Sequence, residues 1–153
     1  MQISDNGIAL VKSFEGFRAK AYLDTANRST IGYGHLIKAG EKFPPAGIAD
    51  DTATSLLLAD LHTAENVVNQ LVHVTLTQNQ FDALVDFTFN EGQGHFAGSH
   101  LLIYTNQGNF DLAAGEFPKW KFAGGQVSDG LLRRRKAEQK LFQTPNDSAL
   151  EQN

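Results

Sequence analysis

Glu15, Asp24 and Thr30 stand in or at the edge of one stretch, Glu15 to His35, which reads EGFRAKAYLDTANRSTIGYGH. Their types suit two-carboxylate cleavage of a glycosidic bond. That reaction needs one carboxylic acid held neutral to protonate the leaving oxygen. It also needs one ionised carboxylate across the bond to handle water or the developing positive charge. Glu15 is expected at the end of an amphipathic helix and Asp24 in the turn of a hairpin. Settings that different push two carboxyl pKa values apart, and the separation assigns acid and base. Thr30 adds a hydroxyl that can orient a water beside Asp24. Each residue also has a plain structural reading: most carboxylates are solvated surface charges, Asp24 can cap its turn through Asx hydrogen bonds, and Thr30 is an ordinary β-branched strand residue.

The elements that must position these groups are legible from periodicity and caps. Ile3 and Ile8 flank Ser4 as a hydrophobic staple does, and Leu10, Val11 and Phe14 continue an apolar helical stripe that Gly16 terminates. Glu15 therefore falls at a helix C-terminal end, where the negative end of the dipole disfavours the ionised form, the direction a general acid requires. From Arg18 to Ile37 helical periodicity is lost, and aromatic or β-branched residues around Asp24 to Arg28 predict a hairpin or small sheet. Gly32 and Gly34 lack the third glycine of a dinucleotide site, since Ile37 stands in its place; they let the strand bend or neighbouring backbone approach. Gly40 to Gly47, with Pro44-Pro45, reads as a loop. Asp50-Asp51-Thr52 opens a helix to about Val72, with Leu57, Leu58, Leu61, Ala64, Val68 and Leu71 on its apolar side. Thr77 and Gln80 form a capping-box pattern ahead of Phe81, Leu84, Val85, Thr88 and Phe89, predicting a helix to about Asn90. Later helices are expected over 98–105, 111–117 and 128–142, separated by Gly108 and by Gly124-Gly125. The expected domain is 1–143, followed by a flexible polar tail, 144–153.

Composition narrows the class. The chain of 153 residues, 41% hydrophobic and 20% charged, suits one globular domain, with room for two lobes. The absence of cysteine excludes disulfides and thiol catalysis. No apolar run reaches spanning length, so no membrane insertion is expected, and the first residues lack the pattern of an export signal. His62, His73, His95 and His100 show no metal-ligand spacing, so neither metal nor cofactor is expected. Net charge is −4 but unevenly spread: seven Lys or Arg face Asp129 and Glu138 between 117 and 142, a local +5, which leaves −9 elsewhere. A basic face on an acidic body suits an anionic polymer, without choosing between polymers, and its plain reading is a solvated helix face.

The stretch as a whole resembles the signature of the phage-lysozyme family, the muramidase endolysins of tailed phages and prophages. Matching positions are Glu15-Gly16, Ala21-Tyr22, Asp24 and Thr30 through His35. The similarity continues at Leu76 through Leu84, at Phe89-Asn90 with Gly92, and at Gly130-Leu131 with Arg134, Arg135 and Glu138, covering nearly the whole chain up to Phe142. The resemblance implies a mostly helical α+β, lysozyme-like two-lobed domain: a small β-hairpin lobe, a larger helical lobe, a cleft between them, and the helix from Asp50 bridging the two. It implies hydrolysis of the β-1,4 bond between N-acetylmuramic acid and N-acetylglucosamine by an inverting course. Glu15 would donate the proton, Asp24 would assist water or stabilise oxocarbenium charge, and Thr30 would position that water. Phe89 and Asn90 would line the sugar groove, with core packing as the plain reading of Phe89, and Arg134 would approach Glu15 from the opposite lobe. His35 reads as a hydrogen-bonded structural histidine.

The implied partners are peptidoglycan glycan strands and, functionally, a holin; nucleic acid is not expected, and the state is monomeric. The implied location is the host cytoplasm until the membrane is permeabilised, then the cell wall or periplasm. The chain departs from the family pattern at Asn27-Arg28-Ser29, at Glu91 and His95, and at His100, which puts subsite detail and one helix start in question. Two rival readings differ in class. A lytic transglycosylase uses one acid and the substrate's own hydroxyl, and the presence of Asp24 and Thr30 argues against it. A noncatalytic wall-binding module has no need of the Glu15 to Asp24 arrangement.

Overall fold

The computed structural model describes residues 1–146, so most of the tail expected over 144–153 lies outside the described residues. The order is α1 (Asp5–Glu15), β1 (Arg18–Leu23), β2 (Ser29–Gly32), β3 (His35–Leu36), α2 (Asp50–Leu71), α3 (Gln78–Glu91), α4 (Gln93–Ala97), α5 (His100–Asn106), α6 (Phe110–Glu116), a 3₁₀ turn (Phe117–Lys119), β4 (Phe122–Ala123), β5 (Gln126–Val127) and α7 (Asp129–Gln143). This is a mostly helical α+β chain. It divides into two compact units, one Ala9–Thr63 and the other Met1–Ile8 with the chain from Ala64 onward. Among the described residues no helix is long and apolar enough to cross a membrane.

In the unit Ala9–Thr63, Val11 is fully buried on α1, and the helix stops where the Gly16 N–H donates to the Lys12 carbonyl at 3.0 Å. The last helical residue is therefore Glu15. The antiparallel sheet runs β1-β2-β3, with Tyr22 opposite Thr30 and Ile31 opposite His35. Thr30, Ile31 and Gly32 are buried whereas β1 is largely exposed, so β2 is the strand that packs inward. Against it α2 buries Ala53, Leu57 and Leu61, a row at i, i+4, i+8. Leu58, expected on that stripe, is instead 42% exposed, because it sits about 100° around the helix from Leu57. Polar contacts then fasten sheet to helix. The Tyr33 hydroxyl donates to Asp50 at the start of α2. His35 is buried with Nδ1 2.7 Å from Asp60 Oδ2 on α2 and Nε2 3.0 Å from Glu41 Oε2 in the loop.

In the other unit the expected capping box forms: Thr77 Oγ1 accepts the Gln80 N–H at 3.2 Å and Gln80 Oε1 accepts the Thr77 N–H at 2.9 Å. The helix it starts buries every residue from Gln80 to Thr88. Phe87 lies at its centre, with edge-on contacts to Phe96, Phe117 and Trp120 at 6.3, 5.7 and 5.4 Å, while Phe142 of α7 meets Phe117 at 5.4 Å. Burying each such ring contributes about 1.5–3 kcal/mol. Two expectations are corrected here. The helix expected over 98–105 starts later, at His100, because Gly98 closes a short helix α4 that was not expected and the Ser99 hydroxyl caps α5 by accepting the Leu102 N–H at 3.1 Å. His100 thus begins its helix with a hydroxyl cap one residue earlier. Gly124-Gly125 is more than a separator: with φ of 57° and 80° the pair makes a two-residue hairpin turn joining β4 to β5.

The interface of α3 with α7 carries charge as well as rings. Asp86 and Glu138 are fully buried, as is Arg135, and Arg134 is nearly so. Arg134 donates through Nε to Asp86 Oδ1 at 3.2 Å and through Nη2 to the same oxygen. Arg135 donates to Glu138 Oε1 at 2.6 Å and Asn90 Oδ1 at 2.8 Å, and also to Glu91, with its guanidinium 5.1 Å from the Phe87 ring centroid. Burial first, and then the charge of Asp86, push the Glu138 carboxyl well above its ordinary value, against the pull of the two arginines.

Each unit yields one expected outcome. A neutral imidazole has one N–H, so His35 satisfies two carboxylates only as imidazolium; burial disfavours that charge, yet the two carboxylates outweigh it and raise its pKa. A raised folded-state pKa contributes stability that is fully present below the unfolded value of about 6.5 and lost as pH rises through the folded value. The gap in unfolding temperature between wild type and His35→Gln should therefore shrink from pH 6 to pH 9; a gap independent of pH contradicts the imidazolium. In the helical unit, Arg134→Ala leaves buried Asp86 without this cation and should cost about 3–5 kcal/mol in urea unfolding. Exposed Arg133→Ala should stay within about 0.5 kcal/mol of wild type. Equal stability of the two variants contradicts the buried pair.

Candidate functional site

Glu15, Asp24 and Thr30 all belong to the unit Ala9–Thr63. Glu15, half-buried, is presented by the last turn of α1. The β2–β3 turn passes directly against it: a Cβ built on Gly34, whose φ is 76°, would stand 2.8 Å from Glu15 Oε2. Glycine is thus required at position 34 both for the backbone conformation and for the space that the carboxyl group occupies. Nearby, Phe17 and Tyr33 pack with ring centroids 5.5 Å apart, and Lys12 lies 4.9 Å from the Tyr33 ring centroid. Strand bending and close backbone approach are the roles expected of Gly34 from the sequence; the group that approaches it is the Glu15 side chain.

Asp24 leaves β1 and closes the turn to β2. Its Oδ1 accepts the backbone N–H groups of Ala26 and Arg28, each at 2.9 Å. Its Oδ2 receives Nε and Nη2 of Arg28, again each at 2.9 Å. The turn-capping reading of Asp24 is realised, and it coexists with the chemical one because a carboxylate so held stays ionised. The Arg28 backbone N–H, above all, holds the Asp24 carboxyl below the usual carboxylate range; the Arg28 side chain and the Ala26 N–H add to this, and partial burial opposes it. Thr30 is 2% exposed, and its hydroxyl donates to the Arg28 carbonyl at 2.9 Å. That leaves the Oγ1 lone pairs to accept from a water. Sequence reasoning marked Arg28 only as a departure from the family pattern. Its signal was an opposite charge four residues after Asp24.

The other candidates belong to the second unit. Phe89 is half-buried near the end of α3 and Asn90 is exposed there, with its amide oxygen on Arg135. Arg134 commits its guanidinium to Asp86, with Nε 3.7 Å from Glu138 Oε1. Glu91, unusual for the family, accepts from Arg135, and His95 packs on Trp120 with ring centroids 5.4 Å apart and planes tilted by 44°. His35 is structural, as its two carboxylate contacts require.

Comparison with known proteins finds relatives along nearly the whole chain. The chain is similar to an endolysin of Bacillus phage PZA, 47% identical over 93% of this chain, and to an endolysin of Salmonella phage P22, 44% identical over 93% of it. It spans 55% of the length of the first and 98% of the second. Among solved structures it is similar to the muramidase domain of SpmX from Asticaccaulis excentricus, with 42% identity, a TM-score of 0.84, and coverage of 94% of this chain and 99% of that one. The family model for phage lysozyme matches residues 12–138, and the chain belongs to that family.

Proposed function

We propose that the chain is a phage endolysin that hydrolyses the β-1,4 bond between N-acetylmuramic acid and N-acetylglucosamine in bacterial peptidoglycan. The observation that carries this reading is the pairing, in one unit, of a half-buried Glu15 at a helix end with a separately held, ionised Asp24 on a hairpin turn. Glu15 protonates the glycosidic oxygen as the bond to the leaving sugar breaks. Asp24 faces the oxocarbenium-like charge that develops, and Thr30, its own hydrogen directed to the Arg28 carbonyl, accepts a hydrogen bond from the water that attacks the anomeric carbon; that water's proton passes to Asp24 as the new C–O bond forms. A carboxylate held below its ordinary pKa is a weak base, so of its two tasks Asp24 is better suited to stabilising charge and orienting water than to abstracting a proton early. The inverting course belongs to the same proposal.

Phe89 and Asn90 serve as sugar contacts in this reading, and Arg134 as a cation of the site whose guanidinium the buried carboxylates hold rigid. The partners are glycan strands, a reading that similarity to phage endolysins supports; a monomer that meets them once a holin has opened the membrane belongs to the same proposal. Transglycosylation is disfavoured because a reaction closed by the substrate's own hydroxyl leaves Asp24 and Thr30 without a task.

Glu15→Gln keeps the side chain's shape and removes its proton. Its clearing of a turbid suspension of purified walls should fall at least about 10²-fold, at an unfolding temperature near wild type. Asp24→Asn should be comparably impaired, since an amide carries no charge to set against the oxocarbenium. Near-wild-type clearing by Glu15→Gln overturns the proton-donor assignment, and by Asp24→Asn moves the second role to another carboxylate.

A further inference from the structure

We propose that Arg28 is a positioning residue of the reaction, holding the Asp24 carboxylate with its guanidinium and the Thr30 hydroxyl with its carbonyl, so that one turn residue sets the geometry of both groups. The inference rests on the reading that Asp24 and Thr30 serve the reaction. Arg28 reaches Asp24 by three donors: its backbone N–H to Oδ1, and Nε and Nη2 to Oδ2, all at 2.9 Å. Its carbonyl accepts from the Asp24 N–H and from Thr30 Oγ1, both at 2.9 Å. A carboxylate torsion is intrinsically broad. The two amides on Oδ1 pin one oxygen and leave the plane of the group free to turn about it, and the guanidinium on Oδ2 fixes that plane. The same residue sets where the Thr30 lone pairs point, because a hydroxyl that gives its hydrogen to a fixed carbonyl has its acceptor directions fixed in turn.

Fold stability does not explain the pair. The Arg28 side chain is 60% exposed and the Asp24 side chain 18%, and exposed ion pairs contribute little. A cation beside Asp24 also opposes the positive charge that Asp24 is to stabilise, so orientation and charge neutralisation pull turnover in opposite directions. The convergence of both guanidinium donors and the carbonyl on the two candidate groups points to orientation as the larger effect.

The test compares wild type, Arg28→Ala, Arg28→Lys, Asp24→Asn and the Arg28→Ala/Asp24→Asn double variant on soluble, peptide-free glycan strands, reading kcat and KM from pH 3.5 to 7 together with unfolding temperature. Arg28→Ala should lower kcat about 10-fold or more with KM little changed, the size a small misplacement of a reacting group produces. Its acid limb should move to higher pH, because losing the guanidinium raises the Asp24 pKa; the move is partial, since the backbone N–H of residue 28 remains. Arg28→Lys should recover part of kcat, an ammonium restoring charge but not the planar fork. The double variant should be no slower than Asp24→Asn alone, and unfolding temperatures should stay close to wild type. If Asp24→Asn turns over like wild type, the underlying reading fails and this inference with it. If Asp24→Asn is inactive while Arg28→Ala matches wild type or exceeds it at every pH, the positioning role alone is overturned.

Discussion

His35, buried between Asp60 and Glu41, is the interaction on which the unit carrying Glu15, Asp24 and Thr30 depends. The unit Ala9–Thr63 has a short three-stranded sheet, one face of α2 and the second half of α1, and the chain contains no cysteine to staple them. So small an assembly buries little apolar surface. The sheet is fastened instead by a charged hydrogen-bonded pin from β3 to α2 and by the Tyr33 hydroxyl on Asp50. Two of the three groups proposed for the chemistry belong to that sheet and its turn, and the third lies against it. Thr30 lies on β2, Asp24 in the turn before it, and the β2–β3 turn carries Gly34 against Glu15. A sheet loosened from α2 displaces Thr30 and Asp24 together and moves the backbone that Glu15 lies against.

The helical unit meets a different demand. Its core could be purely apolar around Phe87, yet α3 and α7 bring two carboxylates and two guanidinium groups into it. Apolar replacements of such groups are often as stable, so their presence calls for a use. Arg134 held by Asp86, and Arg135 held by Glu138, Glu91 and Asn90, are cations with very little rotamer freedom. Arg135 is fully buried and Arg134 nearly so, and their charges are met by these carboxylates inside the interface of α3 with α7.

Much of this was legible in the chain itself, and the exceptions share a cause. Helix starts announced by local chemistry, such as the Thr77 and Gln80 capping box, and the stop at Gly16 appear where sequence reasoning puts them. Leu58 departs from its expected place because a helix with six other leucines or valines offers more than one apolar row, and only packing selects it. The break between α4 and α5 and the Gly124-Gly125 hairpin were visible as glycines but not as turns, since the strands and helix they bound are too short to show a period. At the site, Glu15, Asp24 and Thr30 stood out through their motif, while Arg28 did not. Its role comes from the turn that folds it back onto Asp24, and the same four-residue spacing elsewhere marks ordinary surface pairs. Asp86 and Glu138 were hidden for a related reason: nothing in a sequence distinguishes a buried charge from a solvated one on the same helix.

In the proposed reaction, an acid at the end of α1 and a charged aspartate on the hairpin make water the second reactant. Digestion of purified peptidoglycan in ¹⁸O-labelled water, followed by mass spectrometry of the fragments, reads this directly. Hydrolysis predicts fragments ending in a reducing N-acetylmuramic acid that has taken up one labelled oxygen from solvent. Fragments ending in unlabelled 1,6-anhydro-N-acetylmuramic acid, lacking the elements of water, would contradict it and leave Asp24 and Thr30 without their assigned chemistry.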